Sequence, residues 1–482
     1  MGLMKSLKVN SLLNAIKSMM RIAFPLITLP YVSRVLQVEN LGKYNFSLTV
    51  VTYFSYIASL GINGYGIRNG SAIRNDKQQF EKFACEIFTI NIVSMTIAYL
   101  LLIIVTLNSE KIVLYRSTIF ILALNIFFTA IGTEWLFSIF EDYLYITVRS
   151  VIFQIVSVIL MFILVKTPGD LNSYALLTVI SGGGSNILNW FHARKYCKIK
   201  LTRRPQFKKH LGSVLSIFAS DLAILVYVNS DVIMLGYLSS DYYVGLYGFS
   251  CKIYAGLKTL LGALIIVSIP RLSFLWGTDK REQYYATLYK IFETSITVML
   301  PLAAGVIMTS REIVLLLGGT PYLESSVSLS LLSAATVFCE LSYIYTQCIL
   351  MPMHKENILM LITFFSAAAN IGLNFVFIPL LKQNGAAVTT ILAEFLVYIL
   401  ARYATRRDVN FRTCYGTLAK SLAGCMAITF ICSIIFRLVG TGWRALLFCV
   451  VFSVIGYAAV EILLKNKIVT EMLLKIHCRH NG

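Results

Sequence analysis

Charged residues are scarce in this chain of 482 residues. Asp, Glu, Lys and Arg make up 13% of it, whereas 57% of the residues are hydrophobic. Soluble domains have about 25% charged residues, which they need to cover their surface. A protein of this length with so little charge cannot cover itself in water, so most of its surface is expected to face lipid. The composition predicts an all-α integral membrane protein.

Motifs for several kinds of chemistry are missing from the sequence. It has no G-x-x-x-x-G-K-[ST] phosphate loop, no H-E-x-x-H and no D-x-D, and its five histidines are dispersed. None of its ten cysteines forms a C-x-x-C pair, so neither a metal site nor a disulfide framework is expected. The net charge of +19 lies in loops between apolar runs, which favours anionic lipid headgroups over nucleic acid. We therefore expect a non-enzymatic membrane protein without a cofactor.

Apolar runs of about twenty residues, long enough to cross roughly 30 Å of hydrocarbon, recur along the whole chain. They predict about fourteen transmembrane helices. The predicted spans are 11–34, 44–66, 84–107, 117–140, 147–166, 172–192, 212–237, 243–268, 286–309, 326–350, 357–380, 384–404, 417–437 and 443–464.

Basic residues concentrate in every second predicted loop. The loop after the sixth span has eight basic residues and no acidic one: Arg194, Lys195, Lys198, Lys200, Arg203, Arg204, Lys208 and Lys209. Because cytoplasmic loops carry an excess of Lys and Arg, this alternation predicts that both termini are cytoplasmic. No A-x-A-like cleavage site follows a short apolar core near the N-terminus, so the first helix is expected to be retained.

An internal repeat divides the predicted spans into two blocks. Residues 41–47 (LGKYNFS) match residues 244–250 (VGLYGFS), and each copy opens the second span of a six-span block. A fainter similarity links 141–146 with 354–358. The repeat predicts an N-lobe at 1–204, a C-lobe at 205–410, and two further helices with a cytoplasmic tail at 411–482, the two lobes having parallel topology.

Cations within the first two spans are candidates for binding an anion. Lys17 and Arg21 recur at helical spacing in the first span, and Pro25 and Pro30 then predict a break. Arg68 follows three glycines at the end of the second span. A charge inside a bilayer is costly and marks a wet cavity or a partner. The alternatives are that Lys17 and Arg21 snorkel to the interface and that Arg68 serves only the topology.

Acidic residues within the spans are candidates for ion coupling. Asp221 lies in the seventh span, and its alternative role is an ion pair with Lys252 or Lys258. The other candidates are Glu134, Glu340 and Glu394. Each could carry a proton or a metal cation during transport.

Three runs carry a family resemblance: GINGYGIR at 61–68, EWLF at 134–137 with EDYLYITVR at 141–149, and DVIMLG at 231–236 with VGLY at 244–247. In their order and spacing they resemble the polysaccharide repeat-unit (O-antigen and capsule) flippases of the multidrug/oligosaccharidyl-lipid/polysaccharide exporter superfamily. The resemblance implies two six-helix lobes around a cationic central cavity. It implies an undecaprenyl-diphosphate-linked oligosaccharide as substrate, with Lys17, Arg21 and Arg68 facing the diphosphate.

The expected function is therefore that of a flippase in a bacterial cytoplasmic membrane, working by alternating access. Its partners would be the lipid-linked oligosaccharide, membrane lipids, and the polymerase and glycosyltransferases of a surface-polysaccharide pathway. A peptidoglycan lipid-carrier flippase and a drug/cation antiporter of the same superfamily stay open as alternatives. From another class, so does a membrane polysaccharide polymerase, although the short outer loops and missing motifs disfavour it.

Overall fold

The computed structural model describes the backbone of residues 7–203 and 205–471. The side chains of residues 7–19, 21–23, 26 and 412 lie outside the described residues. The described chain is helical throughout and contains no β-strand. This confirms the predicted all-α fold.

The chain divides into two compact units, residues 1–245 and 246–482, and the boundary falls inside one helix. The first unit contains α1 (Leu7–Ser59), α2 (Ile62–Ile73), α3 (Lys77–Asn108), α4 (Glu110–Val113), α5 (Arg116–Gly132), α6 (Glu134–Ile139), α7 (Tyr143–Leu164), α8 (Leu171–Val179), α9 (Asn186–His192), α10 (Phe207–Leu238) and the start of α11 (Asp241–Ile266). The second contains the rest of α11, α12 (Ile269–Gly277), α13 (Arg281–Leu317), α14 (Ser325–Tyr343), α15 (Glu356–Leu381), α16 (Gln383–Ala404), α17 (Tyr415–Val439) and α18 (Trp443–Leu463). The division into lobes that end at residues 204 and 410 stays a prediction.

Shorter helical segments join several of these helices. Two of them are π-helical, at Ile180–Gly184 and Ile344–Leu350. The 3₁₀ segments are Pro168–Asp170, Ala193–Lys195, Thr320–Tyr322 and Phe411–Cys414.

Eleven helical segments of the described chain are long and apolar enough to cross a membrane. Ten of them coincide with single predicted spans. The first two predicted spans share one segment, Ile27–Ile73, while Arg116–Gly132 has only 17 residues and the span at 172–192 is divided by the π-helical segment Ile180–Gly184. The polytopic fold is thus confirmed, whereas the number fourteen is not.

The break in the first helix differs from the sequence prediction. Pro25 and Pro30 lie inside α1, and the non-helical residue is Gln37, with φ 63° and ψ 176°. A proline removes one backbone hydrogen bond but can remain within a bent helix. A positive φ redirects the chain more sharply, so the two apolar runs separate at Gln37.

Matching contacts occur around the two copies of the repeated motif. In the first unit the Tyr44 hydroxyl donates to Thr178 Oγ1 at 3.0 Å, and the Phe46 ring packs 5.7 Å from that of Tyr115. In the second unit Tyr247 Oη lies 3.1 Å from Thr390 Oγ1, and the rings of Phe249 and Tyr322 are 4.7 Å apart. In each block the tyrosine reaches the predicted sixth span, and the phenylalanine reaches the residues before the fourth. These pairs support an internal repeat.

Candidate functional site

A cavity of about 280 Å³ lies within the first unit. It is bordered by residues of α1, α2, α3, α5, α6 and α10. Its described lining mixes polar and apolar side chains, with two carboxylates and no basic side chain. The polar and aromatic members include Ser55, Asn63, Asn91, Glu134, Trp135 and Asp221. The structure therefore brings together Glu134 and Asp221, two of the four predicted ion-coupling residues.

Glu134 enters the cavity because the chain breaks immediately before it. Thr133 has a left-handed conformation (φ 40°) between α5 and α6. Neighbouring Gly132 lies so close to α9 that a Cβ there would come within 2.6 Å of the Asn186 side chain. The Asn189 amide also donates to the Gly132 carbonyl at 2.8 Å. This packing starts α6 with Glu134 at the cavity wall.

Trp135 is packed against the glycine-rich run at 61–68. The indole is only 3% exposed, and a Cβ on Gly66 would approach it to 3.2 Å. A methyl group at position 66 would require the ring to shift by a few tenths of an ångström. The glycine thus allows the close packing of α2 against α6 beside the cavity.

Asp221 reaches the cavity from the middle of α10. Its carboxyl group is half-buried, and no described side chain forms an ion pair or hydrogen bond with it. Lys258, one of the two partners considered from the sequence, instead pairs with Glu394. A carboxyl group inside a membrane helix is costly without a partner, so Asp221 stays a predicted ion site.

The predicted cation cluster is only partly described. The side chains of Lys17 and Arg21 lie outside the described residues. Arg68 lies on α2, is exposed, and has no ion pair with any side chain of the described chain. It is thus available to an anionic group.

Arg149 is a buried cation that was not among the residues predicted from the sequence. It is 5% exposed on α7, and one terminal nitrogen donates to Ser185 O at 3.1 Å and to Asn186 Oδ1 at 2.9 Å. Its Nε has no hydrogen-bond partner in the described chain, and its charge interacts with Glu134. An arginine seven residues into an apolar helix was the available signal.

A buried network beside Arg68 was also missed. Tyr65 Oη lies 2.8 Å from His210 Nδ1, and Glu86 Oε2 lies 2.9 Å from His210 Nε2. With the carboxylate at Nε2, that nitrogen donates and Nδ1 accepts from the tyrosine. The network ties the start of α10 to α2 and α3. The tyrosine, the carboxylate and the imidazole ring come from distant parts of the sequence, so no local motif marks the network.

The remaining acidic candidates, Glu340 and Glu394, meet around one lysine in the second unit. Lys258 Nζ lies 3.2 Å from Glu394 Oε1, which also accepts from the Tyr254 hydroxyl at 3.3 Å. Glu340 is 4% exposed and interacts electrostatically with Lys258. One of its carboxyl oxygens has no hydrogen-bond partner among the described residues. Glu394 is thus charge-compensated, whereas Glu340 keeps a free acceptor.

A polar cluster lies at the turn between α6 and α7. Asp142 accepts from the Tyr196 hydroxyl at 2.8 Å and lies 3.1 Å from His192 Nε2, and Arg74 pairs with Glu141 at 3.1 Å. Burial opposes ionisation of Asp142, but the hydrogen bonds from Tyr196 and His192 outweigh it and lower the pKa of this carboxyl group. Burial, with Asp142 nearby, raises the pKa of Tyr196.

Metal-ligating side chains do not cluster in the described part of the chain, where no group of three or more His, Cys, Asp or Glu residues could hold an ion. None of the nine cysteines described there forms a disulfide. The site therefore consists of membrane-embedded carboxylates, arginines and amides.

A multi-spanning helical fold with charged groups and a cavity among its spans is typical of a membrane transporter. The family model described as "Polysaccharide biosynthesis protein" matches residues 7–276, and the chain belongs to that family. It is 25% identical over 389 residues to a protein of Shigella dysenteriae named as an O-antigen transporter, covering 80% of this chain and 96% of the relative.

Two solved structures share the fold. One is the lipid II flippase MurJ in an inward closed conformation (TM-score 0.68, 14% identity, 96% of this chain and 99% of that one). The other is an inward-facing multidrug-resistance MATE transporter of the MOP superfamily (TM-score 0.63, 13% identity, 83% and 99%). The prediction that this chain belongs to the polysaccharide flippases of the exporter superfamily is confirmed. The family consists of transporters rather than enzymes.

Proposed function

We propose that this protein is a flippase that moves an undecaprenyl-diphosphate-linked oligosaccharide repeat unit across the cytoplasmic membrane for O-antigen or capsule synthesis. The observation that carries the proposal is the similarity to an O-antigen transporter along 80% of the chain, within the polysaccharide biosynthesis family. The likeness to the two solved transporters supports the fold through which such movement would occur.

The chemistry of the headgroup explains why such a protein needs embedded cations. A diphosphate loses its hydration in a bilayer at a cost that only compensating positive charge offsets. Lys17, Arg21 and Arg68 are proposed to contact it during alternating access. Arg68 is exposed on α2 and has no ion pair with a described side chain, and buried Arg149 adds a fourth cation close to Glu134.

Ion coupling is proposed for the carboxylates. Asp221 is the first candidate because it lines the cavity without a partner among the described side chains. Glu134 shares the cavity, and Glu340 and Glu394 offer a second site around Lys258. Asp221→Asn should remove the dependence of flipping on an ion gradient while leaving substrate binding in place.

A deletion strain tests the main proposal. Without a flippase, complete lipid-linked repeat units should accumulate on the cytoplasmic leaflet, and surface polysaccharide should disappear. The full chain should restore both, whereas Arg68→Ala at equal membrane abundance should not. The matched control is Arg437→Ala, an exposed arginine in α17. Normal polysaccharide with Arg68→Ala would remove this residue from the mechanism.

The same strain separates the alternatives. A polymerase defect would instead display single repeat units on the outer leaflet, and loss of a peptidoglycan carrier flippase would stop cell-wall growth. The two carboxylates of the first-unit cavity favour a drug/cation antiporter as the second candidate, because cationic substrates need acidic sites. That function predicts drug hypersensitivity of the deletion strain with unchanged surface polysaccharide.

The orientation is proposed from the distribution of basic loops. Both termini would lie in the cytoplasm of a bacterial cell. Reporter fusions after Lys382 and at the C-terminus should report outer and cytoplasmic locations respectively. Fusions that report one side for both would contradict this topology.

A further inference from the structure

A second, larger cavity of about 600 Å³ lies within the second unit. It is bordered by the end of α11, the start of α12 and the first half of α13. Its volume falls in the range of pockets that hold small ligands. The lining combines two basic side chains with several hydroxyl groups, and no acidic residue occurs among its described members: Ser268, Arg271, Thr287, Lys290, Thr294 and Ser295.

The polar side chains that α13 contributes to this cavity lie along one face of the helix. Thr287, Lys290, Thr294 and Ser295 stand at positions i, i+3, i+7 and i+8, which share a face of an α-helix. Such a face is normally apolar in a membrane helix, because lipid cannot satisfy hydroxyl or ammonium groups. Polar side chains along a cavity therefore indicate a polar occupant that can form hydrogen bonds with them.

Two hydroxyl groups in this cavity lack an acceptor within the described chain. Thr287 and Thr294 donate back to their own helix, to Gln283 O at 2.8 Å and Lys290 O at 2.7 Å. Ser295, by contrast, is 1% exposed and its Oγ has no hydrogen-bond partner. Ser268 precedes α12 without forming an N-capping hydrogen bond.

The two cations differ in their present partners. Lys290 Nζ lies 2.5 Å from the Glu471 carboxylate, so this position already attracts an anionic group. Arg271 is exposed and has no ion pair with a described side chain. A guanidinium group suits phosphate oxygens because it can donate two parallel hydrogen bonds.

We infer that this pocket binds the phosphate group of a membrane-lipid headgroup, held by Arg271 and Lys290 with Ser295 donating a hydrogen bond. A glycerophospholipid and a polyprenyl diphosphate share this chemistry. Glu471 would exchange with the phosphate at Lys290. The inference concerns binding alone and does not depend on the flippase function.

Native mass spectrometry of the purified full chain tests the inference with three added lipids: phosphatidylglycerol, undecaprenyl diphosphate and the net-neutral phosphatidylcholine. The chain should retain one or both of the anionic lipids in preference to phosphatidylcholine. Arg271→Ala combined with Lys290→Ala should raise the Kd at least tenfold, about 1.4 kcal/mol. The lipid whose affinity falls identifies the source of the phosphate.

Two further variants keep the test independent of folding. Ser295→Ala removes a single hydroxyl group in the middle of α13 and should lower the affinity for the same lipid about threefold. Lys280→Ala removes a neighbouring cation that does not line the pocket and should leave binding unchanged. Unchanged affinity for both anionic lipids in the double variant, or an equal loss in the Lys280 control, would overturn the inference.

Discussion

His210 is the best place to test the structure quantitatively, because its two ring nitrogens join Tyr65 and Glu86 in a buried network. The substitution His210→Phe keeps a ring of similar shape but removes both nitrogens. The Tyr65 hydroxyl and the Glu86 carboxylate would then lose the partners that they have at 2.8 and 2.9 Å. Because His210 and Glu86 are 1% and 4% exposed, water cannot easily replace the ring.

The expected cost follows from the two hydrogen bonds. A neutral bond contributes about 1 kcal/mol and one to a charged group about 1.5–3 kcal/mol, which gives roughly 2.5–4 kcal/mol for the pair. Bonds between membrane helices average about 0.6 kcal/mol, so the lower limit is near 1 kcal/mol. The loss should lower the free energy of unfolding and loosen the start of α10 from α2 and α3.

Reversible unfolding of the purified chain in mixed micelles measures this loss. A double-mutant cycle with Glu86→Leu should show a coupling energy of about 1–3 kcal/mol, since each single change already breaks the Glu86–His210 bond. The control is His354→Phe, whose side chain is 86% exposed, and its effect should stay within about 0.5 kcal/mol. Additivity of the two single variants within about 0.5 kcal/mol would refute the network.

Three further outcomes are expected. Arg149→Ala should reduce flipping at least tenfold and destabilise the chain more than Arg149→Lys, because it removes both buried hydrogen bonds of the guanidinium, to the Ser185 carbonyl and the Asn186 amide oxygen. Transport assays and melting curves check this. The lowered pKa of Asp142 means that its stabilising effect is present above the usual value of 3.8 and is lost as the pH falls through the lowered value, so Asp142→Asn should flatten the stability curve in that acid range. In proteoliposomes, Asp221→Asn should abolish the response to an imposed ion gradient, whereas a response like that of the unmodified chain would exclude Asp221 from coupling.

The helices that sequence reasoning located well are those made by one uninterrupted apolar run. Spans such as 84–107 and 443–464 agree with Lys77–Asn108 and Trp443–Leu463, because each run satisfies its own backbone hydrogen bonds in lipid. The breaks were harder to place. Gln37 and Thr133 adopt positive φ although neither is glycine, and the packing around them determines this conformation rather than local preference.

The candidate site shows the same division between local and distant information. Intramembrane charge singled out Glu134 and Asp221, but only the fold shows that residues 87 positions apart share a cavity. Likewise, nothing in the spacing of Lys258 and Glu394 marks them as an ion pair, since they lie on α11 and α16. Arg149 carries the same signal, a charge within an apolar run, but only the fold shows that it is buried beside Ser185 and Asn186.

The paired tyrosine–threonine contacts give the protein an internal comparison. Tyr44 with Thr178 and Tyr247 with Thr390 are the same chemical bond formed once in each unit. Replacing either tyrosine by phenylalanine removes one hydroxyl and leaves its counterpart as a reference in the same molecule. Any difference between the two phenotypes would then measure how far the tasks of the two units differ.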